Sequence, residues 1–490
     1  MPGKGCMIHE RRIWPASSAE LAETLDPQLR SRQVSPMTGP LVLPPGLPQG
    51  GVRQLFRYSF WPIEFLEECA ARLGETFPIE LAGLGTFVQL TRPEDIRDVF
   101  KADATTLHAG EINVLLSSVV GTSSVLVLDE KLHVRQRKAM LRPLKGERMR
   151  TFFDAMQSET LAIADQWTGA GVVRADKAMQ QITLRVIIRA SLGLESGAEF
   201  DVMQSSMAKL LVHVRHPLAL VMWKLFPLAR FENSKILPFF RMRRKFDKIL
   251  NACFERQRAL PAEQRPECLL KDLLATEYDD GSVMSNNELR DAIVTVLAAG
   301  HDTTALALAW AFELILPRAD VVAKIVEELD AVTEGRLPTI EDIENLPYLD
   351  AVIRESLRVR NVIPMVARLV KSDISVGGFS YPKNVVLCPS IHLLHMREDL
   401  YPEPKLFRPE RFLERKFAPY EWIPFGGGNR ACLGQAFAIY EMKVVLATLF
   451  STVRLERPIG SVSRPVRRGV SIGPSDGTLL RVTERRPTKS

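Results

Sequence analysis

The sequence of 490 residues predicts a mainly α-helical fold carrying small β-sheets. Three observations lead there. From about residue 129 to 333 almost every long segment has a helical hydrophobic period. Segments with strand-like alternation gather toward the two ends, at 77–91, 364–396 and 469–482. No internal repeat, low-complexity tract or evident linker cuts the chain in two. Length alone favours two or three domains, so the missing linker is informative.

Composition narrows the function classes. The chain is 46% hydrophobic and 25% charged, with a net charge of +6, an ordinary globular balance. Its cations are scattered rather than blocked with aromatics, which gives no support for nucleic-acid binding. The six cysteines (6, 69, 253, 268, 388, 432) lie far apart and form no C-x-x-C pair. That spacing is neither a disulfide framework nor a zinc site, and it suits a reducing compartment. The N-terminus, MPGKGCMIHERRIWPASS, lacks the apolar core of a signal peptide or membrane anchor. A soluble, cytoplasmic protein is expected. Residues 1–45 are rich in Pro, Gly and Ser and read as an extended arm, leaving 46–490 as the folded unit.

Taken in order, FWPIEFLEECAARLG reads as a helix, FPIELAG and TFVQLT as strands, and PEDIRDVFKA as a helix opened by proline. A helix is expected from Asn286 to about Leu316, with Ser285 and Glu288 as a capping box and Pro317 as its stop. About thirty residues at 1.5 Å each span roughly 45 Å, enough to cross a whole domain. Its core, AIVTVLAAGHDTTALALAWAFELIL, is apolar on nearly every face, so it must be buried. A membrane span is the competing reading, but His301 and Asp302 sit mid-helix, where ionisable groups are costly in lipid. Inside a protein, the buried Asp302 and Thr303 need partners or water. They are either a satisfied polar pair in a core helix or a wet notch at a reaction centre. Strand-like VARLV, ISVGG and NVVLCPS follow, then GVSIG and TLLRV near the end.

The stretch PFGGGNRACLG precedes an apolar helical segment, QAFAIYEMKVVLATLF. Three consecutive glycines carry an entropic cost. They mark either a flexible turn before a helix or a close approach to something else. A third feature is Glu355-Ser356-Leu357-Arg358, an E-x-x-R whose ends share a helix face. Alone it says little, because Glu147…Arg150 and Glu255…Arg258 have the same spacing. What distinguishes this copy is its sequel: Arg368, then Phe407-Arg408-Pro409-Glu410-Arg411-Phe412, then the glycine-rich cysteine loop.

The ordered set A-G-x-D-T-T, E-x-x-R, P-E-R-F and F-G-G-G-x-R-x-C-x-G resembles the cytochrome P-450 family of heme-thiolate monooxygenases, from about residue 45 to 485. The resemblance implies a single heme domain, a helix-rich body with a smaller β region, and heme b between two long helices. It implies Cys432 as the axial thiolate ligand of the iron, where a thiolate favours O–O cleavage. Phe425 would cover the ring near the sulfur. Glycines 426–428 and Gly434 would let the backbone run beneath the ring, and Ala299 would border it. Arg430, His133, Arg137 (from H-x-x-x-R) and Arg368 would hold the propionates. Glu355, Arg358 and Arg411 would form a buried structural network. Asp302 and Thr303 become the acid–alcohol pair that delivers two protons to the distal oxygen.

The implied reaction inserts one atom of O2 into a C–H bond or double bond of a hydrophobic molecule. A heme-thiolate peroxygenase or isomerase, or a non-catalytic heme sensor, would have less use for an intact Asp302–Thr303 pair. No flavin or nicotinamide segment follows the heme region, so the resemblance implies a separate ferredoxin or flavodoxin with an NAD(P)H-dependent reductase. Arg135, Lys138 and Arg142 lie on the other side of the His133 helix, and read as a docking patch for an acidic redox partner or as a solvated face. By resemblance the pocket is lined from the loop 105–122, by Val296, Leu297 and Ala299, by Val362, Ile363 and Val366, and by Ile472. Most are aliphatic, which favours a fatty acid, terpenoid or polyketide and a role in secondary metabolism or lipid oxidation. The segment 210–230 reads as an access lid or as packed helices.

Overall fold

The computed structural model describes residues 43–141, 146–167, 171–212, 215–216, 238–487 and 489. Most of the expected arm (1–42), Arg142 and most of the expected lid at 210–230 lie outside them.

The longer helices are α1 (Gly51–Phe60), α2 (Pro62–Leu73), α3 (Pro93–Lys101), α4 (Glu130–Leu141), α5 (Phe153–Gln166) and α6 (Ala175–Leu192), then α7 (Ala198–Val212), α8 (Pro238–Ala259), α9 (Asn286–Ile315), α10 (Ala319–Thr333), α11 (Pro347–Val359) and α12 (Gln435–Thr452). The strands are β1 (Thr76–Leu81), β2 (Gly85–Leu90), β3 (Leu107–His108), β4 (Val172–Arg174), β5 (Arg368–Val370) and β6 (Ile374–Val376), then β7 (Phe379–Tyr381), β8 (Val386–Pro389), β9 (Val453–Glu456), β10 (Pro465–Arg468), β11 (Ser471–Pro474) and β12 (Leu479–Arg485). The fold is mainly α with small sheets, as the hydrophobic periods predict.

At the centre runs α9. The Ser285 side chain accepts from Glu288 N, and the Glu288 carboxylate accepts from Ser285 N at 2.9 Å, closing the capping box. Most of its faces are buried, and α6 packs along it as its main neighbour. It is also the described helix long and apolar enough to cross a membrane, yet 72% of that stretch is buried within the protein. The protein core therefore accounts for its apolarity.

The larger sheet has the order β1-β2-β8-β5-β3, joining early strands to late ones. Here β2 pairs with β8 in parallel, Phe87 opposite Val386, and β5 pairs with both β8 and β3 antiparallel. The N-terminal third and the segment after α11 thus share one hydrogen-bonded layer, which carries Arg368 on β5. A second sheet, β4-β12-β9, and the β10–β11 hairpin close the C-terminal side.

The expected single helix FWPIEFLEECAARLG is instead the end of α1 and the whole of α2. Pro62 removes a donor and forces Trp61 out of the helical region, to φ −134° and ψ 60°. In ISVGG the strand stops at Val376, because Gly377 and Gly378 (φ 62° and 82°) turn the chain into β7. In GVSIG, Gly469 is likewise a left-handed turn residue, and the strand begins at Ser471.

Candidate active site

The loop before α12 folds back on itself. Gly426 N donates to Ile423 O at 2.9 Å and Cys432 N to Phe425 O at 2.9 Å. This sets Phe425 beside Cys432, and the Phe425 ring packs edge-on against Trp422 at 6.2 Å. The glycines have unequal jobs. A Cβ on Gly427 would stand 2.3 Å from the Phe100 ring, and one on Gly428 (φ 66°) 2.4 Å from Phe100 O. Those two make room for α3, not for a cofactor, which corrects the sequence reading. Gly426 (φ 68°) would meet only Val366, at 3.5 Å, and Gly434 meets nothing within 4 Å.

Cys432 is solvent-accessible, whereas cysteines 69, 253, 268 and 388 are buried. The protein nevertheless surrounds it, and burial pushes its thiol pKa up against the Gly434 N–H and the Arg137 charge, which both favour the thiolate. An accessible sulfur in an enclosed setting lines an internal hollow.

One side of that hollow is basic. Burial and the nearby Arg430 and Arg137 hold the His133 imidazole down to about 3. Burial and Arg430 lower the Arg368 guanidinium to about 10. Arg137 and Arg430 are also shifted down, chiefly by burial. Neither the Arg137 guanidinium nor the His133 ring has a hydrogen-bonding partner among the described residues. Arg430 binds Asp129 and donates to Val125 O (3.3 Å) and Leu128 O (2.7 Å), which leaves part of its five-donor fork unused. Arg368 donates to Ala367 O at 2.9 Å and lies 5.6 Å over the Phe100 ring. Three guanidinium groups and the neutral His133 ring thus gather around the Asp129 carboxylate. Heme b carries two carboxylates, which would answer this cationic cluster, and an iron that an accessible thiolate would hold, so these residues fit it.

Asp129 was missed by the sequence reading. Its carboxylate also accepts from Ala109 N, Gly110 N and Glu111 N at 3.0, 2.8 and 2.9 Å. It therefore ties the loop after β3 to the start of α4 and to Arg430. A lone Asp before a helix carries no sequence signal for that.

Along α9, Val296, Ala299 and Thr303 are partly open and follow helical spacing, while the Cβ side of Gly300 is taken by Ile187 of α6 at 3.2 Å. Leu297, expected in the pocket, is fully buried in the main core. It points away because one residue on a helix turns the side chain by about 100°. Thr303 Oγ1 donates back to Ala299 O at 2.6 Å. Asp302 and Thr303 share no side-chain hydrogen bond among the described residues. Asp302 Oδ1 accepts from Gln180 Nε2 on α6 and from Arg215 Nη2, each at 2.8 Å. The sequence separations are 122 and 87 residues, and no local pattern announces either partner.

The loop 105–122 is fastened to the same helix. Asp291 accepts from Ser123 N at 2.8 Å, and Ser124 Oγ lies 2.6 Å from Thr295 Oγ1. Gly121 (φ 88°) is where Asp291 presses closest, a Cβ there falling 1.9 Å from its Oδ1. Val362 and Ile472 are nearly buried and joined by Ile472 N donating to Val362 O at 2.7 Å. Ile363 and Val366 are half-exposed.

Beneath the cysteine loop lies the buried E-x-x-R. Glu355 Oε2 and Oε1 each accept from Arg358 at 2.7 Å. Oε1 also takes Arg411 Nε at 3.0 Å and Arg408 N at 2.9 Å. Arg358 and Arg411 spend their remaining donors on carbonyls of 395–406. The copy at Glu255–Arg258 is an exposed pair at 3.0 Å.

The supposed docking patch looks different in space. Arg135 lies 3.6 Å over the Tyr278 ring and donates to Ser282 Oγ at 3.1 Å. Lys138 pairs with Asp279 at 2.6 Å. Both cations already have partners on the turn before α9, so they are not a free positive face.

The cytochrome P450 family model matches residues 44–480. Cytochrome P450 135B1 of Mycobacterium tuberculosis is 33% identical over 448 residues, 91% of this chain and 92% of that protein. Cytochrome P450 138 of the same species is 33% identical over 410 residues, 83% and 88% of the two chains. Among solved structures, the retinoic acid-bound cyanobacterial CYP120A1 covers 90% of this chain and 99% of its own, at TM-score 0.75 and 24% identity. The cytochrome P450DA heme domain covers 92% and 98%, at TM-score 0.79 and 22% identity. Those two likenesses establish the fold. The length and identity of the mycobacterial matches establish more: the chain belongs to the cytochrome P450 family of heme b-binding monooxygenases.

Proposed function

We propose that this protein inserts one oxygen atom from O2 into a hydrophobic organic substrate, by hydroxylation or epoxidation, with electrons from a separate ferredoxin or flavodoxin and its NAD(P)H-dependent reductase. The observation that carries the reading is an accessible Cys432 with the Arg137 charge beside it, Arg137 in turn gathering with Arg430 and Arg368 around the His133 ring. Heme b, when bound, supplies the iron at which O2 is reduced by two electrons and two protons. Cys432 would hold that iron as a thiolate, a coordinating thiol being deprotonated on binding. Arg137, Arg368, Arg430 and His133 would take the two carboxylates at the ring edge, and Phe425 would shield the sulfur from water.

On the α9 wall, Thr303 spends its hydroxyl proton on Ala299 O, which leaves the oxygen lone pairs to accept from a water or a reacting group. Asp302 would pass protons inward. Its Oδ1 is held by Gln180 and Arg215, so the relay runs through Oδ2 or through a turn of the carboxylate. The aliphatic lining (Val296, Ala299, Ile363, Val366) favours a fatty acid, terpenoid or polyketide. Residues 46–490 would work as one heme domain in the cytoplasm.

The test is turnover on such substrates with NAD(P)H, reductase and ferredoxin, set beside peroxide alone. Product formation coupled to NAD(P)H is expected. Activity with peroxide only, or none with either, would reject the proposal.

A further inference from the structure

His395 ends a short helix, Ile391–His395, and is fully buried. Its backbone carbonyl accepts Arg358 Nη1 at 2.8 Å, so it belongs to the edge of the Glu355 ion network. Its ring reaches the other way. Nε2 lies 3.0 Å from Ile423 N, at the entrance to the cysteine loop. A peptide N–H cannot be turned over, so Nε2 must be the acceptor in this bond. The other ring nitrogen, Nδ1, lies 2.9 Å from Asn361 Nδ2, which also donates to Leu357 O at 2.7 Å and to Arg358 O at 3.2 Å. Burial and the adjacent Arg358 charge hold the ring pKa well below its usual value. The neutral ring this ensures is the one that leaves Nε2 free to accept. Tyr401 stands edge-on to the ring at 6.0 Å and donates its hydroxyl to Glu421 O at 2.9 Å, so the same stretch is held at two points.

From Ile423 the hydrogen bonds continue without a gap. Ile423 O takes Gly426 N, and Phe425 O takes Cys432 N, both at 2.9 Å. We infer that His395 is a positioning residue for Cys432: it registers the loop against the Glu355–Arg358 network, and so fixes where the sulfur is presented. This rests on the heme-thiolate reading of Cys432. Without the bond, the buried Ile423 N–H loses its partner, and the loop can shift to recover one at the expense of the sulfur's place.

The experiment compares heme-loaded wild type, His395→Gln and His395→Asn. Gln can place an oxygen where Nε2 stood, whereas Asn is one methylene shorter and cannot reach Ile423. The readout is the reduced carbon monoxide complex, as the ratio of its strongly red-shifted band to the unshifted band, at matched heme content. Loss of one buried hydrogen bond should move that ratio about tenfold toward the unshifted form in His395→Asn, with His395→Gln close to wild type. Equal ratios in all three, or Gln falling below Asn, would overturn the inference. If Asn fails to take up heme, the Gln protein decides alone: a wild-type ratio supports the inference and a collapsed ratio rejects it. Wild type without a red-shifted band would instead overturn the thiolate reading itself.

Discussion

Replacing Glu355 with Ala removes the one carboxylate shared by Arg358 and Arg411, both of which are buried. Glu355 accepts four hydrogen bonds from three residues. Summing charged hydrogen bonds at about 1.5–3 kcal/mol each would overshoot, because the same groups were desolvated on folding. The relevant figure is the cost of leaving buried charge unpaired, about 3–5 kcal/mol. Unfolding entropy of about 2.1 cal/mol/K per residue over roughly 440 residues gives about 0.9 kcal/mol/K. The melting temperature should therefore fall by about 3–5 °C. Glu255→Ala removes an equally spaced but exposed partner, and should cost about 0–1 kcal/mol, near 1 °C or less. Thermal scans of the two variants at one scan rate are the assay. If Glu355→Ala melted within 1 °C of Glu255→Ala, burial would not be what separates the two motifs.

Gly428→Ala forces a left-handed residue and a contact with Phe100 O, and should cost about 2–4 kcal/mol in heme-free and heme-loaded protein alike. Gly434→Ala, with no neighbour to meet, should leave the heme-free protein unchanged and speed heme loss to a scavenging apoprotein. Asp302→Asn should lower kcat about 10²-fold with little change in substrate Kd, and divert NAD(P)H electrons to peroxide; unchanged coupling would remove Asp302 from the proton path. His133, held down to about 3 in the folded protein, binds fewer protons there than when unfolded. Heme-free stability should therefore be intact above the ordinary imidazole pKa and decline as pH falls from about 6.5 toward 3. His133→Gln should flatten that decline in melts taken across the window.

Much of this was legible in the sequence where the signal is local. The capping box and Pro317 bounded α9, and alternation found most of the strands. The ordered motifs singled out Cys432, Arg430, His133 and Arg368, and in the fold His133 stands near Arg430, Arg368 and Arg137, the last beside Cys432. The readings that failed concern which neighbour fills a space. A glycine run announces that something comes close, but not that Phe100 is that thing at Gly427 and Gly428. A helix period shows that Val296 and Leu297 are apolar, but its phase relative to the hollow is set by α6 and the core. Asp129, Gln180 and Arg215 escaped because each acts through a partner distant in sequence. The cationic face at Arg135 and Lys138 was read from one helix, while its acids stand on another segment.

The most direct test of the account is the spectrum of Cys432→Ala. Wild-type protein, heme-loaded, reduced and exposed to carbon monoxide, should give the strongly red-shifted band of a thiolate-ligated iron. Cys432→Ala should retain its fold by circular dichroism and lose that band entirely. A red-shifted band surviving in the variant would mean that the hollow beside Cys432 is not where the iron is held.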